Sequence, residues 1–292
     1  MRAGRASKTA EHNALFRALE ARRPRPRRVV DDPLARVFLS PPLRTVDELA
    51  RIGIVREAEE RFIDRQWPGV RTAVVARTAL IDEMVAALVG ATSQAVILGA
   101  GFDTRAYRLP ALRDVTVFEV DHPDTQRRKR SLLTRAGINA PNVRFAPTDF
   151  RAGDVDRTLA AVGYDPTLKT LILWEGVTNY LTEPAVDATL RWCARSPACS
   201  ELIFTYIDRR VLDDPGQYEG AERVFATLHR ANEEMTFGMA PAETPAYLAA
   251  RGLTLDSDVG ATEFRTSYYG AAAQDMRGHE FYRVAHAHVA ST

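Results

Sequence analysis

The sequence predicts an α/β protein of the Rossmann-like kind, a mostly parallel sheet with helices on both faces. Three observations carry this. From residue 95 onward, short apolar runs alternate with helical patterns, as in strand–helix–strand units. The first run, Ala95–Leu98, enters a Gly-Ala-Gly turn at Gly99, Ala100 and Gly101. The second, Val115–Val120, ends in Asp121, 20 residues beyond Gly101, the spacing at which a carboxylate meets a ribose hydroxyl pair. Ligands of such sheets bind outside the carboxyl ends of the strands. The stretch is therefore expected to bind a nucleoside-containing cofactor.

The elements follow in order. Residues 8–20 read as a helix with Leu15, Phe16 and Leu19 on one face. Pro24 and Pro26, set among Arg22, Arg23, Arg25, Arg27 and Arg28, prevent its continuation. A short helical piece over Pro33–Leu39 and a helical pattern over Val46–Ile63 come next. A long helix over Val70–Leu88 follows, with Val74, Ala79, Leu80, Met84 and Leu88 as its apolar face. Residues 1–90 thus form a helical cap, and 91–292 the sheet domain. Further strands are expected at Val143–Ala146, Thr170–Trp174 and Glu201–Tyr206. The segment Asp208–Glu243 then interrupts the alternation and is too long for a simple loop. It reads as a lid with a helix over Gly220–Met235 and an apolar side of Phe225, Leu228, Met235 and Phe237. A helix ending at Tyr247–Ala250 precedes Gly252, and Leu253–Ser257 and Phe281–His288 are the last two strands.

The turn bears on which cofactor binds. A dinucleotide fingerprint has a third small residue and a helix N-terminus that receives pyrophosphate. Here the third position is Thr104, and Asp103 puts negative charge where the pyrophosphate would sit. S-adenosylmethionine has no phosphate and carries an ammonium and a sulfonium, so it tolerates that carboxylate. A nicotinamide-dependent oxidoreductase is the rival enzyme reading, and a catalytically silent cofactor-binding protein the rival outside enzymes.

LGAGFDTRAYRL at Leu98–Leu109 and FEVDHP at Phe118–Pro123 resemble the leucine carboxyl methyltransferase-like family of S-adenosylmethionine-dependent methyltransferases. DPLA at Asp32–Ala35, ARTALID at Ala76–Asp82, TDF at Thr148–Phe150 and LWEGVTNYL at Leu173–Leu181 agree with it. The resemblance covers about residues 30–210. It implies a class I methyltransferase fold, with seven strands and a reversed final one. It implies S-adenosyl-L-methionine as cofactor and secondary metabolism as a setting. Family members include a protein phosphatase carboxyl methyltransferase and a tetracenomycin-type polyketide carboxyl methyltransferase, so it does not fix the substrate.

Roles follow for named residues. Arg77 is expected to hold the methionyl carboxylate as a bidentate fork, as the matching family position does. Gly99, Ala100 and Gly101 line the cofactor, and Asp121 takes the ribose hydroxyls. Asp149 would accept from the adenine amino group, and Phe150 would pack on the ring. The resemblance places Glu175 against the methionyl moiety. Glu119 is expected to point away from Asp121, and Asp103 and Arg105 are read either as a clamp on the turn or as ligand contacts. Tyr180 and Tyr206 are candidates to face the methyl group, against an ordinary core role. His122 belongs to the cofactor side. His229, on the lid helix, is the one histidine expected near an acceptor, and His279, His286 and His288 read as structural. Methyl transfer from a sulfonium needs alignment above all, and neither a catalytic triad nor a metal cluster is expected. A carboxylate acceptor is already ionised and needs no base, so carboxyl O-methylation is favoured over phenol methylation.

Composition bounds partners. Net charge is +1 and pI about 7.8, which does not favour nucleic acid. Residues 1–30 hold nine Lys or Arg against two Glu. This basic arm reads as solvated chain, with an anionic partner as the alternative. Cys193 and Cys199 are too few for a disulfide framework. No apolar run is long enough to span a membrane, and no secretory signal is recognisable. The expectation is a cytoplasmic enzyme acting on a small molecule, with a homodimer left open.

Overall fold

Side-chain alternation across the pleat explains the sheet. In a computed structural model that describes residues 8–148 and 155–291, seven strands form one sheet: β1 (Gln94–Leu98), β2 (Thr116–Asp121), β3 (Val143–Pro147), β4 (Thr170–Trp174), β5 (Glu201–Ile207), β6 (Leu253–Gly260) and β7 (Tyr282–Val289). Their spatial order is β3-β2-β1-β4-β5-β7-β6. Only β7 runs against its neighbours. Ala95 and Ile97 of β1, with Leu171 and Leu173 of β4, enter one core layer. Val96, Leu98, Ile172 and Trp174 enter the opposite one. Both faces are covered, so the central strands read as unbroken apolar runs.

Among the described residues, twelve α-helices cover the sheet and build the N-terminal part: α1 (Lys8–Ala21), α2 (Pro41–Leu49), α3 (Gly53–Gln66), α4 (Val70–Leu88), α5 (Arg105–Arg108), α6 (Pro123–Arg135), α7 (Val155–Ala161), α8 (Glu183–Cys193), α9 (Arg210–Asp213), α10 (Ala221–Ala231), α11 (Thr244–Ala249) and α12 (Ala261–Tyr269). α6 starts where Pro123 occupies its first turn and the His122 ring accepts from the Asp124 amide at 3.2 Å. The pattern expected over Val46–Ile63 is two helices, broken at residues 50–52. The piece over Pro33–Leu39 contracts to a 3-10 turn, Ala35–Phe38. The helix expected over Gly220–Met235 stops at Ala231, where Asn232 adopts a left-handed cap at φ 57°.

α4 corrects the expected single apolar face. Ala73, Val75, Ala76, Ile81 and the charged Arg71 and Arg77 are buried as well as Val74 and Ala79. The helix lies between the cap helices, the sheet and α12, so its first turns are enclosed nearly all round. α12 lacks a strong signal in the sequence and is held by Phe264 in the core.

The segment 208–243 touches the N-terminal helices. The Trp67 indole donates to Thr227 Oγ1 at 3.1 Å, and Arg223 donates to the Arg65 carbonyl at 2.9 Å. Leu228 and Phe237 are buried, and Phe225 packs on the Phe281 ring. The returning chain is pinned by the Thr236 amide on the Asn179 carbonyl and the Met239 amide on Ile207.

Several charges of the basic arm are paired at home. Arg22 forks onto Asp47, Arg23 meets Glu20 and Glu60, and Arg28 meets Asp31. Cys193 is a buried free thiol and Cys199 an exposed one. Among the described residues no helix is long and apolar enough to cross a membrane.

Gly99 is the backbone position on which the first turn depends. Its φ is 66°, and a Cβ there would lie 2.4 Å from Val177 Cγ2. Replacement by alanine is expected to cost about 1–3 kcal/mol through left-handed strain and crowding. Thermal unfolding of Gly99→Ala should fall by at least about 3 °C, and an unchanged Tm would show that the turn relaxes freely.

Candidate cofactor and acceptor site

The sheet changes direction of winding between β1 and β4, which are adjacent in the sheet but far apart in the chain. A crevice opens there at the carboxyl ends, as the topology requires. It is a cavity of about 790 Å³, bounded by the Gly99–Gly101 turn after β1, Asp121 at the end of β2, Glu175 after β4, and α1 above.

Gly99 and Ala100 both donate their amides to the Val120 carbonyl, at 2.8 and 3.1 Å. Asp121 is pinned from both sides: one carboxylate oxygen accepts the Gly101 amide at 2.6 Å and the other the His122 amide at 2.6 Å. Burial pushes its carboxyl up, against those two bonds. The side chain is thereby aimed along the cavity wall in a fixed rotamer. Glu119, two residues earlier, is on the same face of β2, contrary to expectation, because side chains repeat every second residue. What separates the two is depth. Glu119 is covered by α6 and pairs with Lys129 at 2.8 Å, both almost fully buried. Burial raises its carboxyl to about 6 despite that partner. Only Asp121 reaches the cavity.

The far wall is charged. Arg77 Nε donates to Glu175 Oε1 at 2.8 Å, and the Tyr282 ring lies 4.6 Å from its guanidinium carbon. Arg105 Nη1 donates to the other Glu175 oxygen at 2.7 Å, and its Nε to Asp82 at 2.7 Å. Burial would raise the Glu175 carboxyl, but Arg105 and Arg77 outweigh it and hold it at about 2. Asp103 accepts from the Arg105 amide at 2.7 Å and pairs with its guanidinium. The two side chains pair as the clamp reading expects, and both also line the cavity. The helix after the turn, α5, has four residues, so no extended helix dipole faces the crevice.

Of the remaining sequence candidates, Tyr180 lines the cavity, and burial raises its phenol. Tyr206 does not. It is fully buried on the opposite face of the sheet, where its hydroxyl donates to Asp258 and accepts from Thr244. His229 is also corrected: it is exposed and pairs with Glu234 at 2.9 Å, because α10 turns that edge to solvent. His122 lines the cavity beside Asp121. Asp149 and Phe150 lie outside the described residues; Thr148, just before them, borders the cavity. Sequence reasoning passed over Arg17, which joins the wall through Asp32 at 2.9 Å and the Phe102 carbonyl at 2.8 Å. It also passed over Glu233, which bonds to Thr9 across the cavity mouth. Neither belongs to a motif with recognisable spacing.

Sheet order, a single reversed strand and a crevice at the switch point define the class I methyltransferase fold. The match to the leucine carboxyl methyltransferase family runs over residues 10–194, and the chain belongs to that family. A Frankia alni protein named "Putative S-adenosyl-L-methionine-dependent methyltransferase" is 34% identical over 218 residues, 70% of each chain. A similarly named Streptomyces avermitilis protein is 33% identical over 219 residues, 72% of this chain and 68% of its own. A solved DUF574 family protein from Streptomyces avermitilis shares the fold with a TM-score of 0.61, at 16% identity over 97% of both chains.

The Glu175 ion pairs link stability to pH. A folded-state value of about 2 against an ordinary 4.5 gives stability that is present above about 4.5 and lost as pH falls through about 2. Glu175→Gln should therefore cost about 3 kcal/mol at neutral pH, since it also leaves Arg77 and Arg105 buried with one partner fewer. Denaturant titrations of both proteins should show the gap closing toward pH 2; a gap independent of pH would refute the linkage.

Proposed function

We propose that the cavity holds S-adenosyl-L-methionine with its methionyl end on Arg77 and Glu175 and its ribose on Asp121, and that the methyl goes to an oxygen of a small molecule. Membership of the family makes the chain an S-adenosylmethionine-dependent methyltransferase. The observation that carries the placement is charge complementarity along one wall. A methionyl zwitterion needs a cation and an anion a few ångströms apart, and Arg77 and Glu175 supply both inside the crevice. Asp121 lies across the turn, a carboxylate with its rotamer set by two amides, suited to accept two vicinal hydroxyls. The residues present therefore fit the donor. A dinucleotide fits less well: Asp103 faces the turn, and α5 is too short to receive a pyrophosphate.

Bound there, the donor supplies a methyl group on a sulfonium, whose leaving group departs neutral. The protein's part is alignment and exclusion of water. Gly99–Gly101 bring backbone close to the methionyl chain. Tyr180 and Leu181, with Thr9 and Asn13 of α1 and the stretch Asn232–Thr236, bound the space beyond it. That stretch is the inner edge of the lid segment and would cover the acceptor. Asp149 and Phe150, following β3, would meet the adenine. Among the described residues no histidine other than His122 lines the cavity. With no second imidazole to act as base, an acceptor already ionised, a carboxylate, is favoured. A second reading has its own observation: Glu233 and Glu234 border the acceptor end, and their charge would suit an amine.

Calorimetry with S-adenosylmethionine tests the cofactor placement. Asp121→Ala removes two hydrogen bonds to a charged acceptor, each worth about 1.5–3 kcal/mol, and should weaken binding at least about tenfold. Arg77→Lys should also weaken it, since an ammonium cannot reproduce the planar fork. Wild-type affinity in either variant would move the corresponding end of the ligand elsewhere. The acceptor atom is tested by methyl transfer from labelled donor to matched sets of carboxylates, phenols and amines. Transfer confined to amines would reject the oxygen reading.

A further inference from the structure

At the other end of the sheet, remote from the cavity, three neighbouring strands bring together side chains that the methyltransferase site does not use. We propose that His286 of β7, Glu201 of β5 and Asp256 of β6 form a three-residue binding site for a divalent transition metal of the zinc type, with His288 of β7 holding Asp256 in place.

The placement follows from strand geometry. His286 and His288 are two residues apart, so both project from the same face of β7. Glu201 lies directly opposite His288 on one side, and Thr254 opposite it on the other. A β-bulge then supplies the fourth residue. Leu255 pairs with Ala287 and Ser257 with His286, which leaves Asp256 as the extra residue between them. The bulge swings its carboxylate toward both imidazoles. His286 Nε2 is 2.8 Å from Glu201 Oε2 and 3.8 Å from Asp256 Oδ2. His288 Nδ1 is 2.9 Å from the same Asp256 oxygen. The ligand atoms offered by Glu201, Asp256 and His286 all lie within 4.8 Å of one another, and His288 supports the group through Asp256 from outside it.

Those separations suit a small ion. A metal about 2.0–2.1 Å from each ligand keeps ligand atoms roughly 3.3 Å apart in a tetrahedron whose fourth position a water can take, and the 2.8 and 3.8 Å separations from His286 bracket that edge. One imidazole with two carboxylates forms a nitrogen–oxygen set that zinc, nickel, cobalt and copper accept. Calcium and magnesium want six or more oxygens, so they fit poorly. The charge also balances, because two carboxylates and one neutral imidazole offer −2 to a dication. His286 and Glu201 are largely shielded, while Asp256 and His288 are about one-third exposed, which leaves a route for entry. A metal there would tie the reversed strand to both its neighbours, at the edge where β6 has no further partner in the sheet.

The test uses the full chain, stripped with chelator and titrated with zinc chloride in a calorimeter. One equivalent should bind, the His286 and His288 imidazole resonances should shift together, and Tm should rise by several degrees. Cobalt should bind at the same stoichiometry with a tetrahedral absorption spectrum. The His286→Gln/His288→Gln double variant keeps polar groups for Glu201 and Asp256, and should unfold like the parent in chelator and bind S-adenosylmethionine normally. Its zinc affinity should drop by at least about a hundredfold, beyond the 10–100-fold that losing a mere supporting group costs. Glu201→Gln should weaken zinc in the same sense. A stoichiometry well below one, zinc binding unchanged in the double variant, or equal affinity for calcium would overturn the proposal.

Discussion

A chain of buried ion pairs holds the cap, the glycine turn and the sheet in one arrangement. Arg17 of α1 meets Asp32, which Arg108 of α5 also approaches at 3.7 Å. Arg108 and Arg105 share Asp82 of α4, and Arg105 and Arg77 share Glu175 after β4. Every one of these side chains is largely removed from solvent. A buried charge without a partner costs several kcal/mol, so the network tolerates little relative movement of α1, α4, α5 and β4. The crevice keeps its shape because its walls are the members of that network.

The same constraint explains how one wall offers both signs of charge. Arg77 and Glu175 satisfy each other before any ligand arrives, and each borders the cavity. In the proposed placement, a zwitterion entering there exchanges one set of pairs for another and strips no naked charge. Asp121 follows the same principle on the opposite wall with backbone amides as partners. Pre-set rotamers reduce the entropy lost when the ligand is fixed, which matters for a reaction that depends on alignment.

β2 shows how little separates an acid of the core from one that lines the cavity. Glu119 and Asp121 share a face, a strand and a chemical type. One lies beneath α6 against Lys129 and closes the core; the other lies one pleat further on and faces the crevice. Tyr180 and Tyr206 divide in the same way, the first against the cavity and the second on the far side of the sheet with Asp258.

The amino-acid sequence alone determined the alternating core, the glycine turn and the acid at the end of β2. These depend on short-range patterns: apolar pleats, a left-handed backbone that only glycine adopts easily, and a spacing set by one strand–helix–strand unit. β4 was legible to the residue, Thr170–Trp174, for that reason. Tertiary structure decided whatever depends on partners distant in the chain. The arginines after α1 read as a solvated basic arm, yet Arg22 and Arg23 find Asp47 and Glu60 in the next two helices. α4 reads as one-sided, yet it is enclosed because α12 and the cap close on it from residues far away. His229 reads as facing the acceptor, yet its helix is rotated by contacts to Trp67 and Arg65 that no local pattern encodes. Periodicity records which residues avoid water; which neighbour removes the water from them is settled only when the chain closes on itself.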